Sequence, residues 1–280
     1  NESGFVRAYV GSPDFFDRDH QGQVDGVQAP RSTGSILKPF LYALSMDDGL
    51  ITSRTKLLDV PTQYGAFAPA NADESYGGLV PVPEALTQSL NVPAVRLLNA
   101  YGIRSFYSFL QHAGMKTLFR SPSQYGLPLV LGGSEATLLD LAVLYRGLAN
   151  GGRFSGVRLL SEDPQGPVQH LISPGAAWLT LDILRRVNRP GVRHYWHMFE
   201  GERPVAWKTG TSYGRRDAWA VGVTPDWTVA VWCGNFDGSG NATLGGAETA
   251  GPLLFEIMRI LPRLSSRAWF ARPWTGLRKV

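Results

Sequence analysis

Ser35 and Lys38 stand three apart in Ser32-Thr33-Gly34-Ser35-Ile36-Leu37-Lys38-Pro39-Phe40, and together they can perform one reaction. Behind them Ile36, Leu37, Phe40, Leu41 and Leu44 recur at helical spacing, and Gly49 offers a stop, which predicts a helix opening at Ser35. Residues three apart on a helix share a face, so the two side chains can meet. Unpaired first-turn amides and the positive end of the helix dipole disfavour an ammonium there. Lys38 is therefore drawn towards the neutral amine that can take a proton from Ser35. Pro39 is tolerated, because first-turn amides have no intrahelical partner. The chemistry indicated is acyl transfer, with Ser35 as nucleophile and Lys38 as its activating base.

A serine three before a lysine arises by chance roughly once in a chain of this size, so the spacing alone is weak. A second copy exists at Ser53-Arg54-Thr55-Lys56, but it opens no apolar helical face and runs into Leu57-Leu58-Asp59-Val60-Pro61. Two further pieces give the first copy its weight. Ser89-Leu90-Asn91 falls between two short helical patterns and can present a hydroxyl and an amide from a loop into a cleft. Lys208-Thr209-Gly210-Thr211 falls inside a strand pattern. There Gly210 allows close backbone approach, while Lys208, Thr209 and Thr211 offer a charge and hydroxyls to a carboxylate. Ser239-Gly240-Asn241 repeats the serine–asparagine spacing in a glycine-rich turn and reads as coincidence.

The elements that must position these residues follow from periodicity. Residues 5 to 12 alternate like a half-buried strand, and a loop runs from there to Pro30. Between Gly49 and Pro83 a stretch rich in proline, glycine and asparagine has no helical period and reads as a surface insertion. Helices are predicted from Pro83 through Leu90, from Val92 to Ala100, and over 103–113, 137–149 and 174–187. Thr137 and Asp140 form a capping box, and Gly151-Gly152 a stop. The period then changes. Strands are predicted over 204–212, 217–224 and 227–235, with Thr224-Pro225-Asp226 turning between the last two, and a helix over 251–262 follows. A helical block thus separates a front strand from a three-strand meander, so the expected sheet brings both ends of the chain together.

Composition sets the bounds. The 280 residues are 44% hydrophobic and 18% charged, enough to bury a large core. No stretch approaches a membrane-spanning length and no targeting segment opens the chain, so no membrane span is expected in it. The single cysteine, Cys233, excludes an internal disulfide and reads as packing in a strand. A net charge of +4 is mild and gives no case for nucleic acid. His194 and His197 lack the carboxylate or cysteine partners of a zinc site, so no metal and no cofactor are expected. Arg185, Arg186, Arg189 and Arg193 read as a solvated helix end, and Trp207 and Tyr213 are candidates either for the cleft wall or for the core.

The longer strings resemble the transpeptidase domain of the penicillin-binding proteins, whose serine–lysine, serine–asparagine and K-T-G motifs match in order. Thr33-Gly34-Ser35 with Lys38-Pro39-Phe40, Glu84-Ala85-Leu86 with Ser89-Leu90-Asn91 and Pro93-Ala94-Val95, Leu131-Gly132-Gly133 with Leu141-Ala142, and Ala149-Asn150-Gly151-Gly152 look like bifunctional, class A members. The wording is closest to the 1C subgroup. The resemblance covers nearly the whole chain. It implies a mixed α/β fold of the penicillin-binding protein and serine β-lactamase type, an antiparallel sheet flanked by helices plus a mostly helical lobe. The domain would cover 1–268, with a sheet lobe from 1–34 and 200–268 and a helical lobe from about 35–199; 269–280 would be an edge or linker. Family members usually carry a strand just before Phe5; that strand, an upstream glycosyltransferase domain and a membrane anchor would lie outside this sequence.

Residue by residue, the resemblance implies a D,D-transpeptidase of peptidoglycan stem peptides, acylated by β-lactam antibiotics, at the periplasmic face of a bacterial inner membrane. Ser35 would be the nucleophile, Lys38 the base, Ser89 the proton relay supported by Lys208, and Asn91 the residue orienting Lys38 and the substrate amide. The backbone amides of Ser35 and Thr211 would form an oxyanion hole, and Thr209 and Thr211 would hold the terminal carboxylate. A D,D-carboxypeptidase or a serine β-lactamase shares the acylation chemistry but needs a base for the deacylating water. Glu135 is the one obvious carboxylate of the middle block, and capping or the dipole of the following helix accounts for it. A non-catalytic β-lactam sensor or wall-binding module is the alternative of another class.

Overall fold

A computed structural model describes residues 1–191 and 203–277. After β1 (Arg31–Ser32) comes α1 (Lys38–Asp47), then the hairpin of β2 (Lys56–Asp59) and β3 (Gly78–Pro81). Helices α2 (Val82–Thr87), α3 (Asn91–Tyr101), α4 (Ile103–His112) and α5 (Pro122–Tyr125) follow. Next are β4 (Glu135–Ala136), α6 (Leu138–Ala149), β5 (Arg153–Phe154), β6 (Gln169–His170) and α7 (Pro174–Leu184). The chain continues through β7 (Ala206–Thr211), β8 (Asp217–Val223) and β9 (Thr228–Gly234) to α8 (Gly251–Ile260).

The sheet β7-β8-β9 is an antiparallel meander, with Lys208 opposite Val221 and Trp219 opposite Trp232. Central β8 is buried along its whole length, which is why Asp217–Val223 reads as a nearly continuous apolar run. Alternate residues serve two cores. Trp207, Ala218, Ala220 and Val231 pack under Leu254, Phe255 and Met258 of α8, whereas Ala206, Trp219, Val221 and Val223 face the helical block. Trp207 is therefore core; Tyr213, beyond the end of β7, is almost fully exposed.

Helix α1 is the pivot of the helical block. Lys38 through Ser45 are all buried, so the helix has no solvent face to keep polar. Phe40 lies edge-on to Tyr145 of α6 at 5.1 Å and 6.0 Å from Phe109 of α4. Its loss would cost about 3–5 kcal/mol, the range for emptying an aromatic site in a core. Helix α6 starts where its cap dictates: Thr137 Oγ1 accepts from Asp140 N–H at 3.0 Å, and Asp140 Oδ2 accepts from Thr137 N–H at 3.3 Å. That reciprocal pair satisfies two orphan amides at the helix start.

Three expectations need correction. Residues 5–12 form no strand and make one isolated parallel bridge, Phe5 to Arg158; Val6 N–H donates to Arg158 O at 2.9 Å, and Gly11 O accepts from Gly26 N–H at 2.8 Å. Alternation marks two unlike faces, and a strand needs a neighbouring backbone as well. The helix expected from Ser35 begins at Lys38, and the residues before it form tight turns, with Ile36 N–H on Thr33 O and Lys38 N–H on Ser35 O, both at 3.2 Å. Arg189 is buried rather than solvated, lying 4.6 Å over the Phe255 ring and donating to Arg203 O. Arg185 and Arg186 both reach Asp182, while Arg193, His194 and His197 lie outside the described residues. Segment 269–277 folds back on α7, where Trp178 Nε1 donates to Phe270 O at 3.2 Å. Among the described residues no helix is long and apolar enough to cross a membrane.

Candidate active site

The turn carrying Ser35 is pinned from four sides. Thr33 Oγ1 donates to Ser134 O at 3.1 Å, Ser32 Oγ to Gly132 O at 2.8 Å, Trp219 Nε1 to Ser32 O at 2.8 Å and the Tyr145 hydroxyl to Ile36 O at 2.7 Å. Gly34 adopts φ +51°, and a Cβ there would stand 2.6 Å from Thr211 O and 2.8 Å from Thr211 N. Glycine is thus required twice over, for conformation and for contact. Opposite it, a Cβ on Gly210 would come within 2.7 Å of Thr33 O. The close backbone approach that Gly210 permits is therefore made by the turn that carries Ser35.

Lys38 is completely buried, and Nζ donates to Ser89 O at 2.6 Å and Asn91 Oδ1 at 2.7 Å, with Ser89 Oγ at 3.5 Å. Ser89 sits between α2 and α3 with φ +60°, a left-handed conformation that turns its carbonyl and hydroxyl together towards the lysines. From β7, Lys208 Nζ reaches Ser89 Oγ at 2.7 Å and Thr209 O at 2.9 Å. Burial pushes the Lys38 ammonium well below the ordinary lysine range, and the neighbouring charge of Lys208 pushes it further. Burial alone lowers Lys208 to about 7. Desolvation penalises the charged form, so Lys38 is held towards its neutral amine and Lys208 can exchange a proton near neutral pH.

Ser35 is half-buried, and its hydroxyl makes no hydrogen bond among the described residues. Both short contacts of Lys38 Nζ go instead to the Ser89-Leu90-Asn91 loop. Thr209 and Thr211 alternate with Lys208 and lie on the α8 side of β7. There Thr211 Oγ1 accepts from Gly246 N–H at 3.0 Å, which leaves its own proton to give. Bonded pairs alternate along an antiparallel ladder. Ser212 N–H donates to Asp217 O at 3.0 Å, so the adjacent pair Thr211–Ala218 is a non-bonded one. The Thr211 amide therefore faces away from β8, on the side where Gly34 approaches.

Glu135 is engaged rather than poised. Its carboxylate pairs with Arg120 and accepts from the Tyr125 hydroxyl at 3.4 Å. The cap of α6 is made by Thr137 and Asp140, so the capping account of Glu135 is replaced by this ion pair. Lys56, of the second serine–lysine copy, is exposed on β2, and Ser239-Gly240-Asn241 is an exposed turn. Cys233 is half-buried against the α8 core. Sequence reasoning missed Tyr145, one apolar-face residue among many, and Asn71, an asparagine in a turn-rich stretch; neither type in such a place signals a site.

The Ser35 turn packs on the edge strand β7, and Lys38 from α1 and Lys208 from β7 meet at the Ser89-Leu90-Asn91 loop. Solved structures share the fold, the penicillin-binding protein and serine β-lactamase-like one. A penicillin-binding protein 1A crystal structure from Haemophilus influenzae superposes with a TM-score of 0.74 at 21% identity, covering 90% of this chain and 46% of that one. The PonA1 penicillin-binding protein of Mycobacterium tuberculosis gives 0.71 at 24% identity over 88% of this chain and 71% of its own. The penicillin-binding protein transpeptidase domain model matches residues 1–259, and the chain belongs to that family. Penicillin-binding protein 1C of Escherichia coli is 40% identical over 91% of this chain and 33% of its own length. Penicillin-binding protein 1A of Neisseria cinerea is 31% identical over 92% and 34%. The chain thus spans about a third of the length of the curated relatives it matches.

Proposed function

We propose that this domain is a D,D-transpeptidase that cross-links peptidoglycan stem peptides through an acyl-enzyme on Ser35 and is acylated there by β-lactams. The observation that carries the reading is the convergence of two buried lysines, Lys38 and Lys208, on the Ser89 hydroxyl. Ser35 Oγ attacks the carbonyl carbon between the two terminal D-alanines, and its proton passes to neutral Lys38. Ser89 Oγ, supported by Lys208, then relays that proton from Lys38 to the leaving nitrogen, taking one from Lys38 as it gives its own, while the C–N bond breaks. Asn91 orients Lys38 and the substrate amide. The developing oxyanion is met by the amides of Ser35 and Thr211, each worth about 3 kcal/mol in sites of this kind. Thr209 and Thr211 take the terminal carboxylate.

An amine of a neighbouring stem next attacks the Ser35 ester; the new C–N bond forms, the C–O bond breaks and Ser35 recovers its proton by the reverse route. Hydrolysis instead needs a base positioned for the deacylating water, and the engagement of Glu135, the one obvious carboxylate of the middle block, with Arg120 favours transfer over the carboxypeptidase and β-lactamase readings. A β-lactam-sensing module would acylate without transferring. We further propose that the protein acts at the periplasmic face of an inner membrane, with glycosyltransfer and anchoring handled elsewhere in a longer chain.

The experiment is acylation with a labelled penicillin, read by intact mass and peptide mapping, followed by presentation of a D-Ala-D-Ala stem peptide and an acceptor amine. A single adduct on Ser35, absent from Ser35→Ala, and an amide-linked product are expected. Labelling at Ser53, or none, would reject the assignment.

A further inference from the structure

The 49–83 stretch, which reads as a surface insertion, contributes two polar side chains that are almost wholly buried, Asn71 at 4% exposed and Asp59 at 1%. Asn71 Oδ1 accepts from Asn91 N–H at 2.8 Å and from Val92 N–H at 3.2 Å. These are the first amides of α3, which lack intrahelical partners, and the N-cap residue Leu90 has no side-chain acceptor to offer. Asn71 Nδ2 donates to Asp59 Oδ1 and Ser75 O, both at 2.8 Å, and Asp59 Oδ2 accepts from Gly77 N–H at 2.8 Å. The amide of Asn71 therefore has only one workable orientation. Turned over, it would set its NH2 against two N–H donors and its oxygen against a carboxylate.

Orientation passes on to Asn91. Its Nδ2 donates to Ala70 O at 2.8 Å, next door to Asn71, which leaves Oδ1 aimed at Lys38 Nζ at 2.7 Å. The other short contact of Lys38, Ser89 O, lies two residues before Asn91 on the same loop. We propose that Asn71, held by Asp59, is a positioning residue for Lys38: it fixes the start of α3 from a distant loop so that Asn91 Oδ1 and Ser89 O bracket the amine. The role rests on the reading of Lys38 as the base. It makes the β2–β3 hairpin part of the acylation machinery although neither strand supplies a reacting group.

The test compares Asn71→Ala with the parent protein using saturation kinetics of a fluorescent penicillin, which separate the acylation constant from the preceding binding constant. A 10- to 100-fold slower acylation is expected, the size of loss that a small misplacement of a reacting group produces. Binding should stay within about twofold, a split expected when an interaction made only in the transition state is lost, and labelling should still reach one adduct per chain. An independent readout is acetylation of Lys38 by acetic anhydride, mapped by mass, which should be faster in Asn71→Ala because the amine loses its bracket. If Asn71→Ala does not fold, Asn71→Asp serves, since it keeps the acceptor for α3 but sets a carboxylate against Asp59. Asp59→Asn combined with Asn71→Asp restores a donor between the two positions and should recover most of the acylation rate. Unchanged acylation, weakened binding alone, unchanged Lys38 acetylation, or no recovery in the double variant would overturn the proposal. A parent protein that takes no label at Ser35 would instead remove the transpeptidase reading, while the acetylation comparison still decides whether Asn71 places Lys38.

Discussion

Lys38 and Lys208 converge on one hydroxyl, their Nζ atoms 3.5 and 2.7 Å from Ser89 Oγ. Two buried ammonium groups around a single acceptor repel, so protonation of Lys208 disfavours protonation of Lys38, which burial already holds towards the neutral amine.

Lys38→Arg keeps the charge and removes the proposed base, because a guanidinium does not deprotonate in proteins. Acylation by a penicillin should fall by about 10² to 10⁴, the usual contribution of a general base. Stopped-flow acylation of the variant is the measurement, and a parent-like rate would show that Lys38 acts only as a charge.

The Lys208 shift has a consequence for folding. Its folded value is about 7, below that of an exposed lysine, so between about 7 and 10.5 the unfolded chain binds more protons at this residue than the folded one. Stability from this group therefore rises with pH across that window, and below it the full cost of a buried ammonium is present. Against Lys208→Met, which lacks the group, the parent should gain on the order of a few kcal/mol from pH 7 to 10 in urea unfolding. A flat difference would mean that Lys208 is not desolvated.

At Gly34 a methyl group would both strain a backbone at φ +51° and press into Thr211 O. Gly34→Ala should lose at least about 1 kcal/mol of stability. It should lose acylation out of proportion to that, because relief of the clash moves the Ser35 turn off β7. Thermal melting and penicillin labelling of the same sample separate the two effects.

Glu135→Gln should leave the lifetime of a penicillin adduct unchanged, since the carboxylate is spent on Arg120 and not on water. The ion pair is partly exposed, and its loss costs about 0–1 kcal/mol. A markedly longer-lived adduct in the variant would assign Glu135 to deacylation.

Features written in local chemistry were legible from the chain. Thr137 and Asp140 announce the start of α6, and the change of period after 187 with the turn at Thr224-Pro225-Asp226 announces β7, β8 and β9. The motif residues Lys38, Ser89, Asn91 and Lys208 gather in one place. What periodicity does not carry is pairing over distance. Residues 5–12 alternate without acquiring a strand partner, and the helix after Ser35 begins three residues late because tight turns carry the nucleophile instead. Lys38 turns to a loop about fifty residues on rather than to Ser35, and Asn71, in a stretch that looks like solvent-exposed loop, is buried beneath α3.

Ser89 holds a left-handed backbone that glycine or asparagine would adopt with less strain. A library screened for heat resistance alone would drift towards glycine there, easing the chain while erasing the hydroxyl between the two lysines. Thermal tolerance and turnover pull this one position in opposite directions, so any engineering campaign on the domain should hold residue 89 fixed and look for its gains elsewhere.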